Sequence, residues 1–172
     1  NLIFKSTDGG ATWQNTYTGP SFPAPGVVVC DVNPYFTCMF TDNGGYWRHE
    51  GWGEPAAFNG IVHLVYAQHG TGADPGDVYY IRSTDGGFTF GTPVKLNSDA
   101  TTRPQWQPNL SVSPAGTLLA VWYDAREGAS CTEGNAAVPC YRMFANKSND
   151  GGVSWQGDME FSDVVTPLAA EQ

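Results

Sequence analysis

The chain has 172 residues, a formal net charge of −9, and 41% hydrophobic against 15% charged residues. That length suits one domain with a real core, and the 13% aromatic content excludes a disordered chain. Its 21 Gly and 12 Pro exclude long helices, the acidic balance disfavours nucleic acid and anionic membranes, and no run of about 18 apolar residues could span a bilayer.

The first predicted element is the strand-like run Leu2-Ile3-Phe4, which starts so close to Asn1 that the chain reads as a mature or excised piece of a longer product. It leads into Ser6-Thr7-Asp8-Gly9-Gly10-Ala11-Thr12-Trp13. Cys30 and Cys38 follow, flanking Asn33-Pro34. A degenerate relative of the Ser6–Trp13 segment spans Asp42-Asn43-Gly44-Gly45-Tyr46-Trp47. A short segment at 56–58 turns at Asn59-Gly60 into the strand 61–66, and a loop over 68–77 leads to the strand 78–81. Next come Ser83-Thr84-Asp85-Gly86-Gly87-Phe88-Thr89-Phe90 and a strand over 93–96. Residues 109–112 turn through Ser113-Pro114-Ala115-Gly116 into the strand 117–123, and a loop over 124–140 precedes the strand 141–145. The last copy is Ser148-Asn149-Asp150-Gly151-Gly152-Val153-Ser154-Trp155.

These copies share the pattern S-x-D-G-G-x-[TS]-[WF], 77 residues apart from Asp8 to Asp85 and 65 from Asp85 to Asp150. The pattern describes a hairpin turn. The Asp carboxylate accepts from backbone N–H groups just ahead of it, and glycine supplies positive φ. The closing Trp13, Phe90 or Trp155 packs back over the hairpin. Asp8, Asp85 and Asp150 therefore read as turn staples. Each unit reads strand, turn, strand, loop, strand, Asp turn, strand. Repeated four-stranded antiparallel blades predict an all-β fold, a β-propeller with about three blades present.

The four cysteines fall in two close pairs, without zinc-site or thioredoxin-like spacing. Local disulfides Cys30–Cys38 and Cys131–Cys140 are the simplest of three connectivities. They place the protein in an oxidising, extracellular or cell-surface setting. No cofactor is required by any motif. Asp74 and Asp77 could offer oxygens to calcium, although they match no EF-hand loop and a plain acidic turn is the simpler reading.

The three copies resemble the Asp-box, or BNR repeat, of the sialidase superfamily, and the stretch from about Trp47 to Trp155 is similar to secreted bacterial sialidase-like propellers. The resemblance implies six blades, so this chain is expected to be a segment completed by the remaining blades or by a partner chain. It also implies a site on the face opposite the Asp turns, carrying inter-blade links at 47–54 and 102–107 and loops at 68–77 and 124–140. Sialidases bind a substrate carboxylate with three arginines and use a Tyr/Glu pair with an Asp acid. Arg48, Arg103 and Arg126 are on the implied face, and Trp52 and Trp106 could stack on sugar or fill gaps between blades. Tyr123, Glu127 and Asp124 are the catalytic candidates, each with a structural alternative. The sequence lacks the family's Arg-Ile-Pro segment; Arg103-Pro104 matches it only in part. Asp-boxes also occur in non-catalytic propellers, so a glycan-acting enzyme and a binding or structural propeller both remain open.

Overall fold

The computed structural model describes residues 1–26, 52–128, 131–133 and 136–167. Those residues form β-strands and no helix. Two four-stranded antiparallel sheets carry the fold. The first runs β3 (Glu54–Phe58), β4 (Ile61–Gln68), β5 (Asp77–Ser83) and β6 (Val94–Lys95) in simple order. The second runs β7 (Gln105–Val112), β8 (Leu118–Asp124), β11 (Cys140–Ser148) and β12 (Met159–Glu160), with β13 (Thr166–Pro167) also paired to β11. Ahead of both stands a hairpin of β1 (Leu2–Lys5) and β2 (Gln14–Thr18).

Each sheet is a blade in the predicted order. The outermost strands are shorter than expected: β6 is two residues long, not the four of 93–96. The segment expected as a loop between β8 and β11 contains a small hairpin, β9 (Cys131–Glu133) with β10 (Ala136–Val138). The Cys131–Cys140 disulfide ties its base to the start of β11, with Cα atoms 5.6 Å apart. Because the first Asp turn joins β1 to β2, that hairpin occupies the place of strands three and four. The described residues thus hold two blades and half of another, in keeping with the expected partial propeller. The Cys30–Cys38 pair and the degenerate copy at 42–47 lie outside the described residues.

Strands of the first blade are apolar on both sides, as a sheet buried on two faces requires. Val65, Val78, Tyr80 and Leu96 face the second blade and meet Leu110, Leu118, Ala120, Trp122 and Phe144. The alternate residues Leu64, Tyr66 and Ile81 point the other way, onto Ile3, Phe22 and Phe90. At about 1.5–3 kcal/mol for each large apolar side chain fully removed from water, these two interfaces are the main source of stability. His63 is buried on the inter-blade side, with Nδ1 2.7 Å from the Tyr80 hydroxyl, and burial followed by the Arg82 charge lowers its pKa to about 4.

The three Asp turns share one hydrogen-bond scheme. Asp85 Oδ1 accepts from the N–H groups of Phe88 (3.0 Å) and Thr89 (2.9 Å) and from Ser83 Oγ (2.7 Å), while Oδ2 accepts from Thr89 Oγ1 (2.6 Å). Asp150 does the same with Val153, Ser154 and Ser148, and Asp8 with Thr12 and Ser6. Each leading serine then accepts from the second glycine's N–H at 2.8 Å. Donation to the charged form holds all three carboxylates below their ordinary range; Asp8 sits at about 2, chiefly through the Thr12 hydroxyl and N–H.

The closing aromatics do not all behave as expected. Trp155 lies edge-on to Tyr80 of the preceding blade at 4.9 Å, and Phe90 meets Tyr17 of the preceding hairpin at 4.7 Å. Trp13 donates Nε1–H to the Gly10 carbonyl (3.1 Å) yet stays 64% exposed. The rings of the second and third turns thus pack on the unit before their own, and among the described residues none precedes β1–β2.

The two glycines of the third turn differ in surroundings. Gly151 (φ +66°) has open space where a Cβ would go, whereas at Gly152 (φ +80°) a Cβ would fall 1.8 Å from the Tyr80 hydroxyl. Gly151→Ala should cost only the left-handed backbone penalty of about 1–2 kcal/mol. Gly152→Ala should add displacement of Tyr80 and cost roughly 3 kcal/mol or more. Urea midpoints of the two variants check the order.

Candidate functional site

Antiparallel pairing puts the ends of the strands on two opposite faces. The Asp turns share one face with the tight turns at Asn59-Gly60 and Ser113–Gly116. The other face gathers the β4–β5 loop, the β6–β7 link and the β8–β11 segment. Here the first residues of β5 and β7 and the last of β8 converge on a buried polar network.

Asp124 is fully buried, and its carboxylate is fully engaged. It accepts from Trp122 Nε1 (3.0 Å), the Arg126 backbone N–H (2.9 Å), Arg126 Nε (3.0 Å) and Nη2 (2.7 Å), and Gln105 Nε2 (3.2 Å). Arg126 also pairs with Asp158, and its guanidinium lies 3.9 Å over the Phe144 ring. Burial opposes the Arg126 charge, but hydrogen bonds and attraction from Asp124 and Asp158 outweigh it and hold the proton more tightly than usual. Asp158 in turn accepts from the Ser98 N–H (3.1 Å) and hydroxyl. Burial raises its pKa, but donation from Ser98 and Arg126 prevails and leaves it lowered. Through Gln105 the network reaches Asn97, whose Nδ2 faces Gln105 Oε1 (2.8 Å), Asp77 Oδ1 (2.7 Å) and Asp99 Oδ1 (2.9 Å), and whose Oδ1 accepts from the Val78 N–H (2.9 Å).

Asp124 and Arg126, expected as acid and substrate-binding residue, are thus bonded to each other. Glu127 pairs with Arg142 Nε at 3.0 Å. Trp106 is fully buried rather than presented to a ligand, because its ring fills the space beside Tyr123 (5.7 Å) and Tyr141 (5.8 Å). Tyr123 is half-buried on the same face and meets Tyr141 edge-on at 5.1 Å. Arg103 is half-buried in the β6–β7 link beside Gly128, and among the described residues it makes no ion pair. Trp52, 70% exposed, stands apart from this group, bordering a groove next to β1. Arg48 lies outside the described residues.

Asp77 Oδ1 is bonded by Lys95 Nζ (2.6 Å) as well as by Asn97 (2.7 Å). Asp74 is buried in the β4–β5 loop, where Oδ1 accepts from the Gly76 N–H at 3.1 Å. Burial pushes its pKa up to about 6 against that bond, with Asp77 and Asp99 acting in the same upward sense. Among the described residues no group of three or more His, Cys, Asp or Glu side chains is placed to hold a metal ion.

The sequence reading missed Asn97, Gln105, Asp158 and Lys95. One signal was available: the 65-residue offset of the last two Asp turns. It maps Asp77 onto Arg142 and Lys95 onto Glu160. Both blades keep an ion pair between these positions, with the signs reversed.

No protein-family model and no curated protein sequence matches the chain. Solved structures do. A Dyadobacter fermentans protein of unknown function aligns over 92% of this chain and 37% of its own, with TM-score 0.53 and 22% identity. A Penicillium chrysogenum α-L-arabinanase complexed with arabinobiose aligns over 96% of this chain and 42% of its own, with TM-score 0.52 and 23% identity. The GH93 α-L-arabinofuranosidase of Fusarium graminearum aligns over 95% and 41%, with TM-score 0.50 and 20% identity. The chain therefore spans well under half the length of these structures. The likeness shows the fold: a part of a β-propeller of the kind found in glycosidases.

Arg126→Met should leave Asp124 and Asp158 buried without their cation and destabilise by about 3–5 kcal/mol. Arg126→Lys should recover only part, because an ammonium cannot make the bidentate contact; urea denaturation reads both. Asp74 has a folded pKa above its unfolded one, so its contribution is fully present below about pH 4 and is lost as pH rises through about 6. Asp74→Asn should match the parent near pH 3 and exceed it at pH 7, by about 1–2 kcal/mol in denaturation midpoints converted to free energy.

Proposed function

We propose that this chain is a segment of an extracellular glycan-acting β-propeller of glycoside hydrolase type, with sugar bound at the face opposite the Asp turns. The observation that carries the reading is the division of labour between the two faces. One is closed by short turns whose polar groups satisfy each other. The other collects the longer connections, the Cys131–Cys140 hairpin and the half-buried Arg103, Tyr123 and Tyr141. Arg103 offers a planar donor suited to a sugar carboxylate or hydroxyl pair. In this reading Asp124, Arg126 and Trp106 are the frame of the site, and Arg103 with Tyr123 its exposed part. The disulfide supports an oxidising compartment. The Asp-box resemblance and the glycosidase neighbours agree in sugar chemistry and differ in the sugar, sialic acid for one and arabinose for the other.

A second reading, a non-catalytic glycan-binding propeller, draws on one observation: Asp124 and Glu127, the two carboxylates expected as catalytic, are both paired with arginines. The complete propeller should be assayed with a fluorogenic α-sialoside and a p-nitrophenyl α-L-arabinofuranoside, alongside binding to a glycan array. Hydrolysis of either that falls at least tenfold in Arg103→Ala, with the fold intact, supports the enzyme. Array binding without hydrolysis supports the second reading, and neither activity overturns both.

A further inference from the structure

Two residues other than glycine hold a positive φ among the described residues, Asn59 (φ +50°) and Gln107 (φ +48°). Asn59 is accounted for by its turn. It joins β3 to β4 as the first half of an Asn-Gly pair whose Gly60 is also positive (φ +79°), the two-residue hairpin loop in which both positions must be left-handed. Gln107 sits inside a strand. The β7–β8 register runs from Trp106 opposite Tyr123 to Asn109 opposite Val121, so Gln107 and Pro108 together stand opposite Trp122, a β-bulge.

The packing explains the bulge. In an unbroken strand, residues four apart share a face. Trp106 and Leu110 do not: Trp106 packs with Ala125, Tyr123 and Tyr141, whereas Leu110 joins the core between the two blades. The extra residue makes that change of face. Its occupant is another matter. A positive φ within a bulge suits glycine, which takes it without steric penalty. Glutamine does not, and the following Pro108 adds a clash that pushes the residue before it toward extended backbone. Gln107 thus breaks two local rules at one position. Residues held against their backbone preference cluster where a side chain must meet a ligand.

The position also fits. β7 ends the second sheet on the side away from β12, next to β3 and β4 of the first. It enters from the face opposite the Asp turns, through the link that carries Arg103. Gln107 is half-buried near its start, beside the Trp106 ring that backs Tyr123 and Tyr141. Building on the glycan reading above, we propose that the bulge presents the Gln107 carboxamide to the sugar on this face, where Nε2 donates to one hydroxyl and Oε1 accepts from the adjacent one. The ligand feature recognised is a pair of neighbouring hydroxyls, met by a neutral group four residues along the chain from the Arg103 cation. Glycine would hold the bulge and forfeit that contact.

Two variants of the complete propeller separate a ligand contact from a role in the fold. Gln107→Gly removes the amide and relieves the backbone. Gln107→Ala removes the amide and keeps the left-handed strain. Each is measured by its urea midpoint and by calorimetric titration with arabinobiose and with sialyllactose. The expected midpoint lies above the parent's for Gln107→Gly and no higher than the parent's for Gln107→Ala. Affinity for the sugar that the parent binds should fall about tenfold in both, the worth of two neutral hydrogen bonds. Unchanged affinity in either variant would overturn the contact. So would a midpoint for Gln107→Gly at or below the parent's, which would assign the amide to the fold. A parent that binds neither sugar would overturn the glycan reading and this contact with it, so the parent alone tells the two failures apart.

Discussion

A four-stranded blade that is apolar on both faces cannot stand in water alone. That constraint organises the molecule. Tyr80 and Val65 face one neighbour while Ile81 and Leu64 face the other, so the first blade is stable only as the middle of a stack. Phe90 and Trp155 strengthen the same relation by reaching back to the unit before their own. The described residues are therefore held together by contacts between consecutive repeats.

The polar network is the second consequence of stacking. Two blades packed face to face bring their strand ends together at one rim, and the backbone and side-chain polar groups there must be satisfied away from water. Asn97 and Gln105 do this for the link between blades, and Asp124 with Arg126 does it for the end of β8. Four carboxylates, Asp77, Asp99, Asp124 and Asp158, are drawn into one region with Lys95 and Arg126 between them. A rim held this firmly can position the longer connections above it, which is what a binding face on a propeller requires.

Much of the fold was legible because the repeat carries its own physics. An Asp at fixed offset from two glycines and a hydroxyl residue encodes a closed hydrogen-bond set, and the intervals between copies give the size of a blade. The tight turns at Asn59-Gly60 and Ser113–Gly116 placed the inner strands correctly. The β9–β10 hairpin was not legible, since three-residue strands around Gly134-Asn135 look like loop. The site was legible only as a face. Arg126 and Asp124 were visible as charges, but that they bind each other depends on Arg126 folding back two residues, and that Asp158 joins them depends on a contact 32 residues away. Trp106 shows the same limit: a tryptophan at the start of a strand reads equally as a sugar platform or as filling, and burial decides between them.

The ion pairs of reversed sign have a consequence for how the chain finds its own partners. Successive blades of the same strand order risk exchanging strands during folding. If β6 paired with β11 instead of β5, Lys95 would meet Arg142, two cations. If β12 paired with β5, Glu160 would meet Asp77, two anions. Like charges placed opposite on neighbouring strands are destabilising. Reversing the polarity of this lateral pair between the two blades thus works as an address, letting each outer strand recognise its own sheet.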